Sequence, residues 1–251
     1  MRKIMHHPMV LFLPVFVLCW CQTMNSQEKA TPVKPETITR RLGSLIKVRP
    51  EYEERYIIIH RHVFPGVLDR IRKSNLRNYS IFARDGMLFS YFEYVGSDYD
   101  ADMKAIADTT TKDWWKLTDP MQEPLPTRKE GEWWASMDPV FEAEVATVPQ
   151  TDVVRLAYVA HIKPGNADAV SNYFKTEGQA LLPFINQASL KNVHVYQKDG
   201  CLYMYAEYHG SDWPKDFNAL KEEPGWRAWN KKLNELLVAP WQEMRIVFHT
   251  N

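Results

Sequence analysis

The sequence predicts an α+β fold assembled from two copies of a βαββαβ unit. Residues 76–98 occur again as residues 190–212, and eleven of the 23 aligned positions are identical, where average residue usage gives about one or two by chance. Both copies have the pattern of a β-hairpin, because aromatic and aliphatic runs flank an Asp-Gly dipeptide that supplies positive φ in a tight two-residue turn. An internal repeat decides the architecture, so one fold is expected twice in the chain.

The elements around the first hairpin follow the order strand, helix, strand, strand, helix, strand. Residues 41–48 predict the first strand, and Pro50 opens the following helix because proline is favoured in the first helical turn. Pro65 lies within that helical stretch and is expected to kink or divide it. The remaining predicted elements are two short helices at 102–107 and 111–118 and a closing strand at 139–145.

The same order repeats 114 residues further along the chain, where Gly200 falls on Gly86. Each unit predicts a ferredoxin-like arrangement, a four-stranded antiparallel sheet with helices on one face. The two copies can cover each other sheet against sheet, so one chain supplies both halves and no further oligomer is required. The predicted elements of the second copy are a strand at 153–162, a helical stretch at 164–189, the hairpin, a helical stretch at 216–237 broken at Pro224-Gly225, and a closing strand at 241–249.

The N-terminus is predicted to be a targeting segment. Arg2 and Lys3 precede an apolar run of 13 residues, which is the length of a signal-peptide core and short for a membrane span. Cys19 and Cys21 are alternative lipoprotein cysteines, so a periplasmic or a lipid-anchored protein is expected, with no other membrane contact. The predicted organisation is a signal segment at 1–21, a polar linker at 22–40, the first repeat at 41–145, a linker at 146–152 and the second repeat at 153–251.

Composition and cysteine count argue against nucleic-acid binding and against a disulfide framework. The chain is 45% apolar and 25% charged, and 31 basic residues balance 31 acidic ones. No basic footprint for nucleic acid is present, so nucleic-acid binding is not expected. Once the signal segment is removed, Cys201 has no intrachain partner for a disulfide framework. We expect Cys201 to be a small apolar strand residue.

Three groups of side chains in the first repeat are candidates for chemistry. Tyr56 and His60 stand four residues apart and therefore share one helical face. Tyr79 lies in the hairpin, and the Trp114-Trp115 doublet lies on a later helix. Taken singly, such residues are more often half-buried or part of a core than catalytic.

The first repeat resembles the L-rhamnose mutarotase family over about residues 41–144. The resemblance lies in the spacing of Tyr56-x-x-x-His60, Pro65, Asn78-Tyr79 and Trp114-Trp115. Arg61-His62 and Phe64 depart from the family's pattern, and these departures leave the preferred sugar open. Trp133-Trp134 is expected either to cover the site or to pack in the core.

The resemblance implies a dimeric α+β barrel, formed here within one chain, and a sugar mutarotase that acts on L-rhamnose or a similar hexose. It gives His60 the role of proton donor. Interconverting α and β anomers opens the sugar ring at C1 by proton transfers and oxidises nothing, so the resemblance implies no metal or other cofactor. The implied partner is a monosaccharide, and the implied sugar contacts are Tyr56, Tyr79, Trp114 and Trp115.

The second repeat lacks this set of residues. At the constant shift, Val170, Phe174 and Val193 replace the two tyrosines and the histidine, and no histidine occurs between residues 164 and 193. The second copy is therefore predicted to complete the barrel, with one active site in the chain. His161, His194 and His209 fall on strands or strand ends and are expected to be structural or at the surface.

Two other functions remain open at this stage. Export motivates a non-catalytic carbohydrate-binding or scaffold protein of the same fold. A cofactor-free monooxygenase of the α+β-barrel superfamily rests on fold analogy alone, which is a weak warrant for function.

Overall fold

A computed structural model describes residues 37–143 and 153–251 of the protein. The predicted signal segment and the predicted linker between the repeats lie outside the described residues, as does most of the linker at 22–40. Among the helices that are described, none is long and apolar enough to cross a membrane.

The first repeat has the predicted order of elements. Pro65 divides the helical stretch, as predicted, and becomes the first residue of the second helix. A single 3-10 turn at Pro50–Tyr52 precedes the first helix. The strands are β1 (Arg40–Val48), β2 (Leu76–Arg84), β3 (Met87–Tyr94), β4 (Gln122–Glu123), β5 (Ala135–Ser136) and β6 (Asp138–Ala143), and the helices are α1 (Glu53–His60), α2 (Pro65–Lys73), α3 (Tyr99–Ala105) and α4 (Thr109–Thr118).

The second repeat follows the same order. A 3-10 turn at Gly178–Leu181 divides its first helical stretch, and Pro224 starts its last helix. The strands are β7 (Val154–His161), β8 (Leu190–Lys198), β9 (Cys201–Tyr208), β10 (Gln242–Glu243) and β11 (Arg245–Thr250), and the helices are α5 (Ala167–Glu177), α6 (Leu182–Gln187), α7 (Trp213–Glu222) and α8 (Pro224–Leu236).

Both predicted hairpins are present, and their turns have the expected backbone. Asp85 and Gly86 have φ of 49° and 73°, and Asp199 and Gly200 have φ of 47° and 73°. Positive φ at both central residues defines the turn whose twist matches that of paired strands. The Asp-Gly dipeptides are thus explained by the turn alone.

The Gly-Ser-Asp sequence that ends both hairpins also has a structural explanation. Asp98 caps α3 by accepting a hydrogen bond from the backbone N–H of Ala101 at 3.1 Å. The Tyr94 hydroxyl donates to Asp102 at 2.6 Å and passes so close to Gly96 that a Cβ there would overlap it. The second hairpin repeats these contacts with Asp212, Lys215, Tyr208, Asp216 and Gly210.

The closing strands are exchanged between the two repeats. One sheet has the order β11-β2-β3-β1-β4, with β5 also on β1, and the other has the order β10-β7-β9-β8-β6. The prediction that each four-stranded sheet closes with its own last strand is therefore wrong. The two hairpins are near copies, so the same closing strand finds a suitable edge on either one, and the alternating pattern does not distinguish them. The predicted α+β fold with two repeats in one barrel is confirmed.

Three apolar cores hold the described residues together. One lies between the first sheet and α1, α2 and α4, and a second lies between the other sheet and α5, α6 and α8. The third lies between the two sheets and draws on both repeats, with Phe82, Phe89 and Tyr205 at 0% exposure. The inside of the barrel is therefore a packed core, and the candidate residues belong to the helix-covered side of the first sheet.

Candidate active site

His60 is the last residue of α1 and is buried, with 8% of its surface exposed. Its Nδ1 lies 2.8 Å from the carbonyl oxygen of Tyr56. A carbonyl oxygen only accepts hydrogen bonds, so Nδ1 carries the proton and Nε2 is left as the acceptor nitrogen. Burial lowers the pKa of His60 to about 4, against the smaller opposing effect of the Tyr56 carbonyl. The imidazole is therefore neutral at physiological pH.

Aromatic rings surround this imidazole. The ring centroid of Tyr56 lies 4.0 Å from it, that of Trp114 lies 5.2 Å away edge-on, and that of Phe248 lies 6.1 Å away edge-on. The two side chains of the predicted Trp doublet have different surroundings. Trp114 packs against the imidazole, whereas Trp115 is half-buried at the same core. The helical spacing of Tyr56 and His60 thus places both side chains in one buried cluster.

Tyr79 reaches the same core from strand β2. Its ring packs edge-on against Phe92 and Phe248, each at 5.6 Å between centroids. Phe248 therefore touches both Tyr79 and His60. It lies on β11, so the second repeat contributes a residue to the candidate site through the exchanged strand. Sequence reasoning missed Phe248 because nothing in the pattern of β11 shows which hairpin it pairs with.

The two tyrosine hydroxyls remain protonated. Burial, followed by the nearby Tyr79, raises the pKa of Tyr56 well above 10. Burial also raises the pKa of Tyr79 to about 12. At physiological pH these groups donate hydrogen bonds and do not exchange protons, so His60 is the titratable group of the cluster that can carry a proton in turnover.

Gln122 is a further member of the cluster that sequence reasoning did not find. Its Nε2 donates to the Tyr56 hydroxyl at 3.1 Å, and its Oε1 accepts from the indole N–H of Trp133 at 2.8 Å. Trp133 is 44% exposed, whereas Trp134 is half-buried against the first-repeat core. Trp134 therefore packs in the core, as one of the two alternatives predicted, whereas Trp133 lies at the surface beside Gln122.

The cluster is closed in this structure. Tyr56 is 1% exposed and Trp114 is 7% exposed. A cleft of about 660 Å³ lies along α8, and another of about 430 Å³ lies beside Tyr94 and Tyr99. Neither of these two clefts is lined by any of the predicted site residues. Because His60, Tyr56 and Trp114 are all buried, a sugar reaches His60 only if a covering group moves.

The second repeat builds an apolar copy of this cluster. Phe174 stands where His60 stands, 5.5 Å edge-on from Trp229 and 5.9 Å from Phe141. Phe141 lies opposite Val195 as Phe248 lies opposite Ile81, so the exchanged strands are equivalent. Val170 and Val193 are buried in the same core. This half holds packing groups at the positions where the first half holds polar ones.

Three histidines of the second repeat, His161, His194 and His209, lie away from these positions. His161 is exposed on β7, and His209 lies 3.4 Å from Glu207. His194 is fully buried between the sheets, where it stacks on Tyr91 at 5.4 Å. Within the described parts of the chain, neither ring nitrogen of His194 has a hydrogen-bond partner.

The fold and the cluster define a class of protein: a tandem α+β barrel in which one half carries a buried histidine among tyrosines and tryptophans. Residues 41–143 match the family of L-rhamnose mutarotases. The resemblance of the first repeat to that family is confirmed, and it supports a mutarotase-like function at the level of the family. A search of curated protein sequences finds no match.

Crystal structures of two provisionally named monooxygenases are similar to the chain. One, from Fusobacterium nucleatum, is 13% identical and has a TM-score of 0.51 over 84% of this chain and 93% of its own. The other, from Lactobacillus acidophilus, is 9% identical and has a TM-score of 0.52 over 84% of this chain and 96% of its own. At these identities the likeness shows a shared fold alone.

Proposed function

We propose that the protein is a sugar mutarotase that interconverts the α and β anomers of L-rhamnose or a similar 6-deoxyhexose. The observation that carries the proposal is the neutral His60, whose Nδ1 is bound to the Tyr56 carbonyl so that Nε2 is the nitrogen left for the substrate. The family match over residues 41–143 supports this reaction above others that use a buried histidine.

The chemistry begins with His60 as a base, because its lowered pKa makes it neutral. Nε2 takes the proton of the anomeric hydroxyl while a C1=O1 double bond forms and the bond from C1 to the ring oxygen breaks. The imidazolium then returns the proton to the ring oxygen, which is the donor role that the family resemblance implies. Rotation about C1–C2 and reversal of these steps close the ring on the other face.

The other side chains of the cluster bind the sugar. The protonated hydroxyls of Tyr56 and Tyr79 donate hydrogen bonds to sugar oxygens. A 6-deoxyhexose has an apolar flank with a methyl group, and the rings of Trp114 and Phe248 are suited to pack on it. Trp115, at the edge of the same core, extends this apolar wall.

Two exposed rings form the outer layer of the cluster. Phe64 is 38% exposed and packs on Trp114 at 5.2 Å, and Trp133 is 44% exposed and bonded to Gln122. Residues 126–133, which we call the cover segment, are tied to the second hairpin by the Thr127 hydroxyl, which donates to Asp199 at 2.5 Å. We propose that the cover segment moves to admit the sugar, because its hydrogen bonds to the second hairpin, from Thr127 to Asp199 and from Lys198 to the Thr127 carbonyl, are exposed.

Anomer exchange measured by saturation-transfer NMR on L-rhamnose tests the proposal. The expected result is exchange faster than in buffer for the native protein, and loss of that acceleration in His60→Ala. His62→Ala is the matched control, because it removes an exposed histidine two residues away. A native protein that gives no acceleration with any of a panel of reducing sugars overturns the proposed function. Full activity in His60→Ala overturns the role of His60.

One observation favours a second candidate, a non-catalytic carbohydrate-binding protein. The closure of the cluster around His60 is also what a core without turnover would show. Titration calorimetry separates the two functions, because sugar binding without anomer exchange identifies the second. The monooxygenase alternative is supported only by the shared fold.

A further inference from the structure

A β-bulge at Asn78 decides which face of the sheet the side chain of Tyr79 lies on. The pairing register of β2 with β3 shifts between Arg77 and Ser80, and Asn78 has a φ of 50°. A bulge adds a residue to one strand and so redirects the side chains around it. Here Asn78 faces the space between the two sheets, and Tyr79 faces the helix-covered core that holds His60.

The side chain of Asn78 is held by four hydrogen bonds, three of them from the second repeat. Its Nδ2 donates to Glu207 at 2.6 Å and to Glu93 at 3.2 Å. Its Oδ1 accepts from Nε of Arg155 at 3.1 Å and from the Tyr205 hydroxyl at 3.0 Å, which also lies 2.9 Å from Glu207. An amide with all these partners in a buried setting has one orientation, so the second repeat fixes the bulge.

The equivalent bulge in the second repeat is not held in this way. Asn192 has a φ of 46°, and its Nδ2 donates to Glu207 of its own repeat at 3.0 Å. This is the one hydrogen bond of its side chain among the described residues. The next residue is Val193, which packs in an apolar core. The two bulges have the same backbone conformation, but within residues 37–143 and 153–251 only the side chain of Asn78 is bonded by the other repeat.

We propose that Glu207, Tyr205 and Arg155 are positioning residues that orient Tyr79 toward the sugar by clamping the amide of Asn78. The second repeat then serves the reaction through this clamp as well as by completing the barrel. The inference rests on the proposed function, because it takes Tyr79 as a sugar contact.

Glycine at each bulge tests the clamp with a matched control. Asn78→Gly and Asn192→Gly both remove the amide and keep a residue that tolerates positive φ. We expect Asn78→Gly to raise the KM for the sugar about fivefold or more with little change in kcat, because an oriented binding group is lost. A smaller folded fraction would instead lower kcat and leave KM unchanged. Asn192→Gly is expected to keep both native values, and equal kinetics in the two variants overturn the clamp.

A second pair of variants tests the clamp from the other side. Tyr205 and Tyr91 stack at 3.7 Å with their planes 9° apart, so phenylalanine preserves either ring contact. Tyr205→Phe removes a donor to Asn78, whereas Tyr91→Phe removes a donor to Glu93. We expect a raised KM in Tyr205→Phe alone. The same KM in both variants contradicts the proposal.

A fluorine label on Tyr79 separates failure of the clamp from failure of the proposed function. With 3-fluorotyrosine placed at position 79, we expect its ¹⁹F resonance to shift or broaden in Asn78→Gly and to stay in place in Asn192→Gly. If the native protein does not accelerate exchange but the resonance responds in this way, the proposed function fails and the clamp stands. If the resonance is the same in both variants, the clamp fails whatever the activity.

Discussion

Phe248, on the last strand of the second repeat, packs edge-on against His60 of the first repeat with 6.1 Å between ring centroids. The same ring lies 5.6 Å from Tyr79. The apolar half has the equivalent contact between Phe141 and Phe174 at 5.9 Å. One phenylalanine thus belongs to the candidate site, and its counterpart belongs only to a core.

This equivalence predicts that Phe248→Leu and Phe141→Leu separate function from stability. Both rings are buried, at 8% and 6% exposure, and each change of shape in a core is expected to lower the free energy of unfolding by about 1 kcal/mol. We expect slower anomer exchange per folded molecule in Phe248→Leu alone. Urea unfolding and saturation-transfer NMR measure the two quantities, and equal loss of exchange in both variants would remove Phe248 from the site.

The pH dependence of catalysis follows from the lowered pKa of His60. In the proposed reaction the base form of His60 starts ring opening, and burial lowers the pKa of His60 to about 4. We expect kcat/KM to be level from neutrality down to about pH 5 and to fall through about pH 4. NMR exchange rates across this range provide the measurement. A fall centred near the ordinary histidine pKa of about 6.5 would show that His60 is solvated in the working enzyme.

The lowered pKa of His60 also predicts how His60→Phe changes the free energy of unfolding. A histidine whose pKa is lowered on folding contributes stability that is fully present above the unfolded value of about 6.5 and is lost as pH falls toward 4. The native protein is expected to lose up to roughly 3 kcal/mol from this group over that window. The variant His60→Phe has at position 60 the residue type of the equivalent Phe174. Its free energy of unfolding is expected to fall less over the same pH range. Urea unfolding at pH 7 and pH 4.5 gives the comparison, and parallel losses would contradict it.

A double-mutant cycle tests the bond between Gln122 and Tyr56. Gln122→Leu leaves the buried Tyr56 hydroxyl without its donor, so we expect a loss of about 1–3 kcal/mol in the free energy of unfolding. In Tyr56→Phe combined with Gln122→Leu, both polar partners are gone and part of the loss is expected to be recovered. Denaturant unfolding of the four proteins measures the coupling. Strict additivity would show that the bond carries no net stability.

Release of the cover segment is predicted to speed turnover. Thr127→Ala removes the exposed hydrogen bond to Asp199. A bond of about 1 kcal/mol corresponds to roughly a fivefold change in an opening equilibrium, so we expect kcat to rise by up to that factor if opening limits the rate. Thr176→Ala, at an exposed threonine that bonds only within α5, is the control. A kcat below that of the control would contradict the assignment of the cover segment.

The sequence predicted the repeated elements because each follows from local chemistry. The Asp-Gly turns, the helix break at Pro65 and the helical spacing of Tyr56 and His60 all depend on residues close together in the chain. The predicted site residues gather on one core for the same reason. Their roles in the reaction remain predictions.

The parts that could not be predicted depend on contacts between distant segments. The exchange of β6 and β11 depends on a choice between two similar edges, so neither Phe248 nor the clamp on Asn78 could be found from the pattern. Gln122 lies on the two-residue strand β4, which is too short to show a periodicity, and is brought to Tyr56 by the fold alone. The neutral state of His60 depends on how deeply it is buried, which the resemblance did not show.

The position of β11 near the end of the chain also decides when the first sheet can be completed during synthesis. The contact between Ser80 and His249 joins residues 169 positions apart, so the sheet that carries Tyr79 stays unfinished until nearly the whole described chain has been synthesised. Any early stop in the second repeat would remove Phe248 and leave the edge of β2 open to other chains. The second repeat lacks the histidine but supplies β11, so a chain without it would also lack the strand that completes the first sheet.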